Sequence, residues 1–213
     1  MAGIVDALLV VVLLLNFFML GTSRMRSIIN GSAAQGIVLG AVALFAHGEL
    51  GLQPVLVAGG AIVLKGVLIP WMLFRALRDV AIRREVEPLI GFIPSLLTGA
   101  LGTALAILFA HTLPLADEHV GSLLVPTSLS TVLTGFILLT TRKKAITQVV
   151  GYLILENGVF IMGLTLINAM PFLVEIGVLL DLLVAIFVMG IIINHIQREF
   201  ASLDTTHLSQ LKE

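Results

Sequence analysis

The chain has 213 residues, of which 58% are hydrophobic and only 12% charged, and its formal net charge is -1. Because a water-soluble fold of this size cannot bury so much apolar surface, the composition indicates an integral membrane protein, and the nearly balanced charge excludes a nucleic-acid binder. The absence of cysteine excludes disulfides, Cys-ligated iron–sulfur clusters and thiolate-bound zinc within the chain.

Long apolar stretches determine the predicted fold class. A helix needs about 20 such residues to cross ~30 Å of hydrocarbon, and seven stretches qualify: 3–22, 28–47, 53–74, 91–113, 121–141, 146–168 and 172–197. None shows the two-residue alternation of a membrane strand. The sequence therefore predicts an all-α, polytopic membrane helical bundle of about seven transmembrane helices.

The distribution of basic residues predicts the orientation. Lys and Arg follow the first, third, fifth and seventh stretches, at Arg24, Arg26, Arg75, Arg78, Arg83, Arg84, Arg142, Lys143, Lys144 and Arg198. The alternate loops, 47–53, 114–120 and 168–171, contain neither residue type. Since short basic loops stay in the cytoplasm, we expect the N-terminus outside and the C-terminus in the cytoplasm.

Two features of the second and third stretches concern helix geometry. Gly36 and Gly40 form a GxxxG pair, a weak signal for close helix packing. Pro70 follows Gly66 by four residues, and a proline inside a helix removes one backbone hydrogen bond. We expect the third helix to depart from regular geometry near Lys65.

Lys65, Glu156 and Asp181 lie near the middle of predicted spans. A charge at a helix centre costs about 2.5 to 3.5 kcal/mol, and such residues often mark ion or proton pathways. Burial disfavours the charged form of either residue type and pairing favours it, so such a set can exchange protons near neutral pH. The alternative interpretation is that Lys65 neutralises one carboxylate and fixes helix packing.

The last two spans extend this set of proton-transfer candidates. Gln148, Tyr152 and Glu156 recur every four residues and form one polar stripe on the sixth helix. Asp181 and His195 are fourteen residues apart, nearly four turns, and share a face of the seventh helix. Because the link between these helices is short, they are antiparallel neighbours, with Glu156 and Asp181 at similar depth.

Other polar side chains suggest interhelical hydrogen bonds: Asn16, Gln35, Ser95, Thr98, Thr131 and Thr134. Three histidines, His47, His111 and His119, lie at or beyond helix ends. Surface histidines explain them more simply than a haem site.

The last three spans resemble a known group of proteins. A helix ending in Arg142-Lys143-Lys144 precedes the segment 151–158 (GYLILENG) and then 175–183 (EIGVLLDLL). This order resembles the K subunit of respiratory complex I and the C subunit of Mrp-type cation antiporters. The whole chain resembles component E of hydrogenase-4, from formate hydrogenlyase-type complexes. We therefore divide the chain into a four-helix membrane segment (1–113), a three-helix segment similar to the K subunit (121–198) and a cytoplasmic tail (199–213).

The resemblance implies a non-redox membrane subunit of a membrane-bound hydrogenase, with no catalytic site of its own, that relays protons through mid-membrane carboxylates. Glu156 matches the mid-helix Glu of the K subunit, and Asp181 falls where its next helix carries the second acid, here one methylene shorter. The neighbouring Asn stands directly after the first acid, as Asn157. Lys65 has no counterpart in the three-helix subunit.

The same resemblance implies the surroundings of the chain. The expected partners are antiporter-like membrane subunits, lipid and a peripheral hydrogenase arm on the cytoplasmic side, which carries the nickel–iron and iron–sulfur centres. The expected location is the cytoplasmic membrane of a bacterium or archaeon. An independent secondary cation or proton transporter, a structural anchor for an oxidoreductase, and a haem- or quinone-binding subunit are the alternatives.

Overall fold

A computed structural model describes residues 2–46, 55, 58–60, 62–79, 86, 88–113 and 121–165. Its elements are α1 (Ala2–Gly21), α2 (Met25–Ala46), a π-helix (Ile62–Leu68) that runs directly into α3 (Ile69–Asp79), α4 (Phe92–Ala110), α5 (Leu124–Thr141) and α6 (Ala145–Leu164). Within these ranges, six helical spans are long and apolar enough to cross a membrane. The all-α membrane bundle predicted from the sequence is confirmed, and the stretch 172–197 and the tail lie outside the described residues.

The most extensive packing joins α5 to α6, and three glycines make the close approach possible. A Cβ at Gly151 would lie 2.7 Å from the backbone nitrogen of Leu139, and one at Gly158 would lie 2.6 Å from that of Val132. At Gly135 it would overlap the backbone of Leu155. Small residues at helix contacts are typical of membrane bundles, because lipid supplies no hydrophobic force between helices.

The helix ends and turns on one side of the bundle carry most of the described basic side chains, and we call this side the basic end: Arg24, Arg26, Arg75, Arg78, Arg142, Lys143 and Lys144. Short links join its elements: the Val86 amide donates to the Ser23 carbonyl over 2.8 Å, and the Leu89 amide donates to the Thr141 carbonyl over 2.7 Å. At the opposite end the Leu123 amide donates to the Asp6 carboxylate over 3.1 Å. Apart from Lys65, the basic residues of the described ranges therefore gather at one end, as the loop pattern predicts.

Arg142, however, is fully buried, with 0% of its surface exposed, although its place in a basic loop suggests a solvated side chain. Its guanidinium donates to the Leu20 carbonyl over 3.0 Å and, more weakly, to the Ile90 carbonyl over 3.4 Å. The group also lies 5.1 Å from the ring centre of Phe92. Burial lowers the pKa of Arg142 from its ordinary value. The side chain ties the end of α1 to the loop before α4 instead of facing water.

Two apolar clusters divide the interior along the membrane normal. One cluster lies toward the basic end and includes Met19, Leu20, Ile28, Ile29, Leu138 and Ile154. The other lies toward the opposite end and includes Val5, Leu9, Val12, Leu39, Val42 and Ile161. Between them, α1, α2, α5 and α6 each contribute buried polar side chains, among them Asn16, Gln35, Thr131, Glu156 and Asn157. We call these residues, together with Lys65, the polar layer.

The third span departs from α-helical geometry where the sequence predicts it. Residues Ile62–Leu68 form the π-helix, and α-helix resumes at Ile69, one residue before Pro70. The GxxxG pair of α2 faces this segment: a Cβ at Gly36 would lie 2.8 Å from the Cβ of Lys65, and one at Gly40 would overlap Ile62. Both glycines thus provide space for the π-helix, and Gly36 provides it at the lysine.

The α5–α6 contact can be tested at Gly158. Its replacement by alanine places a methyl group against backbone atoms of α5 that cannot move independently. We expect Gly158→Ala to lower the unfolding free energy in mixed micelles by about 1 to 3 kcal/mol. Gly163→Ala is the matched control on the same helix, since nothing lies within 4 Å of its Cβ position. Equal stability of the two variants would contradict the packing described.

Candidate functional site

A buried ion pair lies in the polar layer. The Nζ atom of Lys65 is 3.0 Å from Oε1 of Glu156, and the side chains are only 14% and 6% exposed. The pair joins the third described span to the sixth. Two of the three charged residues singled out from the sequence are therefore in direct contact.

The surroundings of Lys65 hold its ammonium group on the Glu156 face of α6. The Nζ atom lies 5.5 Å from the ring centre of Phe160, which is one turn from Glu156 on the same helix. An aromatic face attracts a cation electrostatically, and more strongly where water is scarce. With Gly36 opposite the base of the side chain, the lysine is bounded by α2 on one side and α6 on the other.

A chain of side-chain hydrogen bonds begins beside Glu156 and crosses four helices. Asn157 Nδ2 donates to Gln35 Oε1 over 3.1 Å, and Gln35 Nε2 donates to Asn16 Oδ1 over 2.9 Å. Asn16 Nδ2 then donates to Thr131 Oγ1 over 2.9 Å, and Thr131 donates to the Thr127 carbonyl over 2.7 Å. We call this series the amide chain. It ties α6, α2, α1 and α5 together at mid-bundle.

The chemistry of the amide chain differs from that of the ion pair. Asn and Gln side chains both donate and accept hydrogen bonds but have no group that ionises near neutral pH. The amide chain can therefore fix the helices around Glu156 and cannot itself store a proton. Asn157 Oδ1 is buried and has no hydrogen-bond partner within the described part of the chain, so one acceptor remains next to the carboxylate.

The predicted polar stripe on α6 leads from the surface to the ion pair. Gln148 is exposed and Tyr152 is half-buried, whereas Glu156 is 6% exposed. Gln148 Nε2 donates to the Arg142 carbonyl over 3.0 Å, which holds the start of the stripe at the basic end. The remaining predicted proton-transfer residues, Asp181 and His195, lie outside the described residues.

Some of the predicted interhelical hydrogen bonds are wrong. Ser95 donates to the Gly91 carbonyl and Thr98 to the Pro94 carbonyl, both within their own segment. Small hydroxyl side chains often satisfy themselves in this way. Asn16, Gln35 and Thr131 do bond between helices. Thr134 is buried, at 2% exposure.

Two interhelical contacts were not predicted. Ser128 donates to the Gly158 carbonyl over 2.9 Å, and the Thr103 and Ser130 hydroxyls are 2.6 Å apart. The sequence signal for them is the density of hydroxyl residues in 127–134, which holds five. The hydroxyls of this stretch thus bond to α4 and α6, in addition to the bond that Thr131 accepts from Asn16 on α1.

The part of the chain that the structure describes holds no cluster of side chains that could bind a metal ion. Groups of three or more His, Cys, Asp or Glu side chains are absent there. His111 is exposed at the end of α4, and His47 and His119 are outside the described ranges. The buried ionic and polar groups are therefore the chemically distinctive part of the described molecule.

Comparison with known proteins identifies relatives over the whole chain. The chain is 34% identical over 194 residues to the uncharacterized protein Rv0085 of Mycobacterium tuberculosis, covering 89% of this chain and 87% of that protein. It belongs to the family of that protein. It is also a distant full-length homologue of Hydrogenase-4 component E of Escherichia coli K12 and of Shigella flexneri, at 27% identity over 216 residues, which is 98% of this chain and 97% of each relative. No family model and no solved structure matches the chain. With its six described spans, the chain is a multi-pass membrane protein.

The ion pair can be tested by a double-mutant cycle. We expect Lys65→Met to reduce the unfolding free energy more in the wild-type background than in Glu156→Gln, because in the former it leaves a buried carboxylate without its cation. The coupling energy should be about 0.5 to 3 kcal/mol, measured by denaturation in mixed micelles. The cycle Lys143→Met with Glu156→Gln is the control, since Lys143 is exposed at the basic end. A coupling of zero for Lys65 and Glu156 would contradict the contact.

Proposed function

We propose that this chain is a membrane subunit of a hydrogenase-4-type complex and that it relays protons within the membrane through its polar layer. The full-length homology to Hydrogenase-4 component E supports the assignment to such a complex. The buried Lys65–Glu156 pair supports the relay, because ionisable groups in mid-membrane are costly and commonly mark proton and ion pathways.

The position of the polar layer between two apolar clusters carries this proposal. Apolar side chains fill the described interior toward the basic end and again toward the opposite end. Such packing is dense and largely dry, so it opposes proton movement straight across the described bundle. A relay through Glu156 therefore runs laterally, in the plane of the membrane, toward a neighbouring helix or subunit.

The mechanism follows from the electrostatics of the pair. With Glu156 ionised, the pair is neutral overall and Lys65 is held at 3.0 Å. When a proton reaches Glu156, the lysine charge is no longer compensated, and the free energy of any nearby proton rises. In this proposal Gln148 and Tyr152 form the approach from the basic end. Asp181 in the stretch 172–197 is the expected second acid, and His195, fourteen residues further along the sequence, is the expected group on the cytoplasmic side.

The rest of the proposal concerns the assembly. Residues 121–198 form the segment similar to the complex I K subunit and the Mrp antiporter C subunit, after the four-helix segment 1–113 and before the tail 199–213. Antiporter-like subunits, lipid and a cytoplasmic hydrogenase arm surround the chain, and the nickel–iron and iron–sulfur centres reside on that arm. The complex lies in the cytoplasmic membrane, with the basic end of this subunit inside.

A secondary cation or proton transporter is the second candidate, and the π-helix favours it. Transporters commonly place non-α backbone at mid-membrane next to a binding site, and Lys65 lies within Ile62–Leu68. Purification separates the two candidates. A transporter acts alone in liposomes, whereas the proposed subunit copurifies with a hydrogenase arm and has no transport activity by itself.

Glu156→Gln tests the relay in the assembled complex. The substitution keeps the size of the side chain and removes its exchangeable proton, so we expect redox-driven proton uptake into inverted membrane vesicles to be lost. The complement of copurified subunits should stay unchanged. Asp6→Asn is the matched control, since it makes the same chemical change at a carboxylate near the end of the bundle. Undiminished proton uptake in Glu156→Gln would contradict the relay. The Lys65–Glu156 pair would then serve only helix packing, and the chain would be a structural anchor of the complex.

Single cysteines test the proposed orientation, because the natural chain has none. Lys143 at the basic end and Thr112 at the opposite end are both exposed. We expect an impermeant maleimide to label Thr112→Cys in intact cells and Lys143→Cys only after permeabilisation. Labelling in permeabilised cells is the control for reactivity of both sites, and the reverse pattern would invert the topology.

A further inference from the structure

A pocket at the basic end is not used by the proposed relay. It has a volume of about 400 Å³ and is lined by Arg26, Asn30, Trp71, Phe74, Arg75 and Arg78. Arg26 and Asn30 lie in the first turns of α2, and the other four residues lie on α3. The pocket therefore opens between two helices where their spans end.

The sequence of α3 explains why the pocket faces outward. Leu73, Ala76 and Leu77 are buried against the bundle, so the opposite face of the helix is left at the surface. Trp71, Arg75 and Arg78 share that face at helical spacing, and all three are exposed. One side of α3 thus holds the helix in the bundle, and the other supplies an aromatic ring and two cations.

An exposed apolar strip continues from the pocket along the third span. Val63 and Val67 are each 59% exposed, and Trp71 is 54% exposed. In a membrane-spanning chain, exposed aliphatic side chains at this depth face hydrocarbon, and tryptophan is enriched at the level where hydrocarbon gives way to headgroups. The strip therefore begins at the depth of the acyl chains with Val63 and Val67 and reaches the interface at Trp71. Arg75 and Arg78 follow one and two turns later, at the level of the headgroups.

The charge of the pocket is one-sided. Arg26, Arg75 and Arg78 contribute three cations, and none of the described lining residues is acidic. The guanidinium of Arg75 lies 5.9 Å from the ring centre of Trp71, so a cation stands directly beside the aromatic ring in this pocket.

We propose that this pocket binds the phosphate headgroup of an anionic phospholipid, with an acyl chain lying along Val63 and Val67. Guanidinium groups bind phosphate oxygens through paired, charge-assisted hydrogen bonds, and basic pockets between membrane helices bind anionic lipid headgroups. The apolar strip below the arginines distinguishes a lipid from a soluble phosphate. This site is independent of the proton relay, and it stands whether or not Glu156 carries protons.

The pocket contains its own reporter, because Trp71 is the single tryptophan of the protein. The full-length chain is reconstituted in phosphatidylcholine vesicles, and a minor fraction of the lipid carries bromine near the top of its acyl chains. We expect brominated phosphatidylglycerol to quench Trp71 emission at least about threefold more than the same fraction of brominated phosphatidylcholine, since basic residues at the membrane surface enrich anionic lipid around them. Equal quenching by the two lipids would overturn the proposal.

Two triple variants separate the pocket from the general charge of the surface. Arg26→Gln with Arg75→Gln and Arg78→Gln should reduce quenching by the anionic lipid to the phosphatidylcholine level. Arg24→Gln with Lys143→Gln and Lys144→Gln removes the same charge from the same end outside the pocket and should keep the preference. If both variants lose it equally, the lipid responds to diffuse charge and the site is refuted. Arg78→Gln alone, at an exposed position, should reduce the preference for the anionic lipid in part, and it guards against misfolding of the triple variant. Circular dichroism checks that every variant keeps its helix content.

Inorganic phosphate distinguishes the two sources of the same anion. Added to protein in wholly phosphatidylcholine vesicles, it should leave Trp71 emission unchanged, and it should not relieve quenching by brominated phosphatidylglycerol. If phosphate alone shifts the emission and relieves the quenching in an arginine-dependent way, the pocket binds a soluble oxyanion and the lipid assignment is wrong.

Discussion

The organisation of this bundle depends on one constraint, namely that polar groups buried in a membrane protein find partners inside the protein. No water is present in the hydrocarbon core to receive them, and each unsatisfied group costs several kcal/mol. The molecule meets much of this constraint by collecting several of its buried polar side chains at one depth, although Asn157 Oδ1 has no partner within the described residues. Lys65 faces Glu156 there, and the amide chain runs beside the pair from Asn157 to Thr131. The two apolar clusters fill the space on either side.

Close helix packing is what allows short polar side chains to meet across the layer. At Gly135, Gly151 and Gly158 the backbones of α5 and α6 approach until no Cβ fits. A serine hydroxyl can then reach a carbonyl of the facing helix, as Ser128 reaches Gly158. On α2, Gly36 gives the same freedom to the π-helix and admits Lys65. In the sequence these glycines are visible only as a high glycine content, but in the structure they allow the polar groups to pair.

The sequence predicted the features that hydropathy and charge determine directly. The described spans, their basic end and the irregular geometry before Pro70 all follow from the thermodynamics of insertion and from backbone chemistry. It could not predict which acid Lys65 contacts, because the third span is apolar around the lysine and its rotation against the other helices therefore leaves no periodic signal. It also assigned Ser95 and Thr98 to neighbouring helices, although a hydroxyl can bond to its own backbone equally well. The burial of Arg142 was not predicted, because a basic loop indicates that a residue lies at one end of the bundle but does not indicate whether its side chain is exposed or buried there.

The amide chain limits the routes open to a proton at Glu156. Its members lie on the α1, α2 and α5 side of α6, and none of them ionises near neutral pH. It ends on a backbone carbonyl, that of Thr127, which cannot pass a proton onward. In the proposed relay, a proton at Glu156 therefore moves along another face of α6, and the half-buried Tyr152 and exposed Gln148 are the proposed approach to it. The amide chain would hold the Glu156 side of α6 in place, and proton transfer would occur on the side of α6 that faces away from it. The proposed relay therefore leads out of the described bundle and toward the next helix.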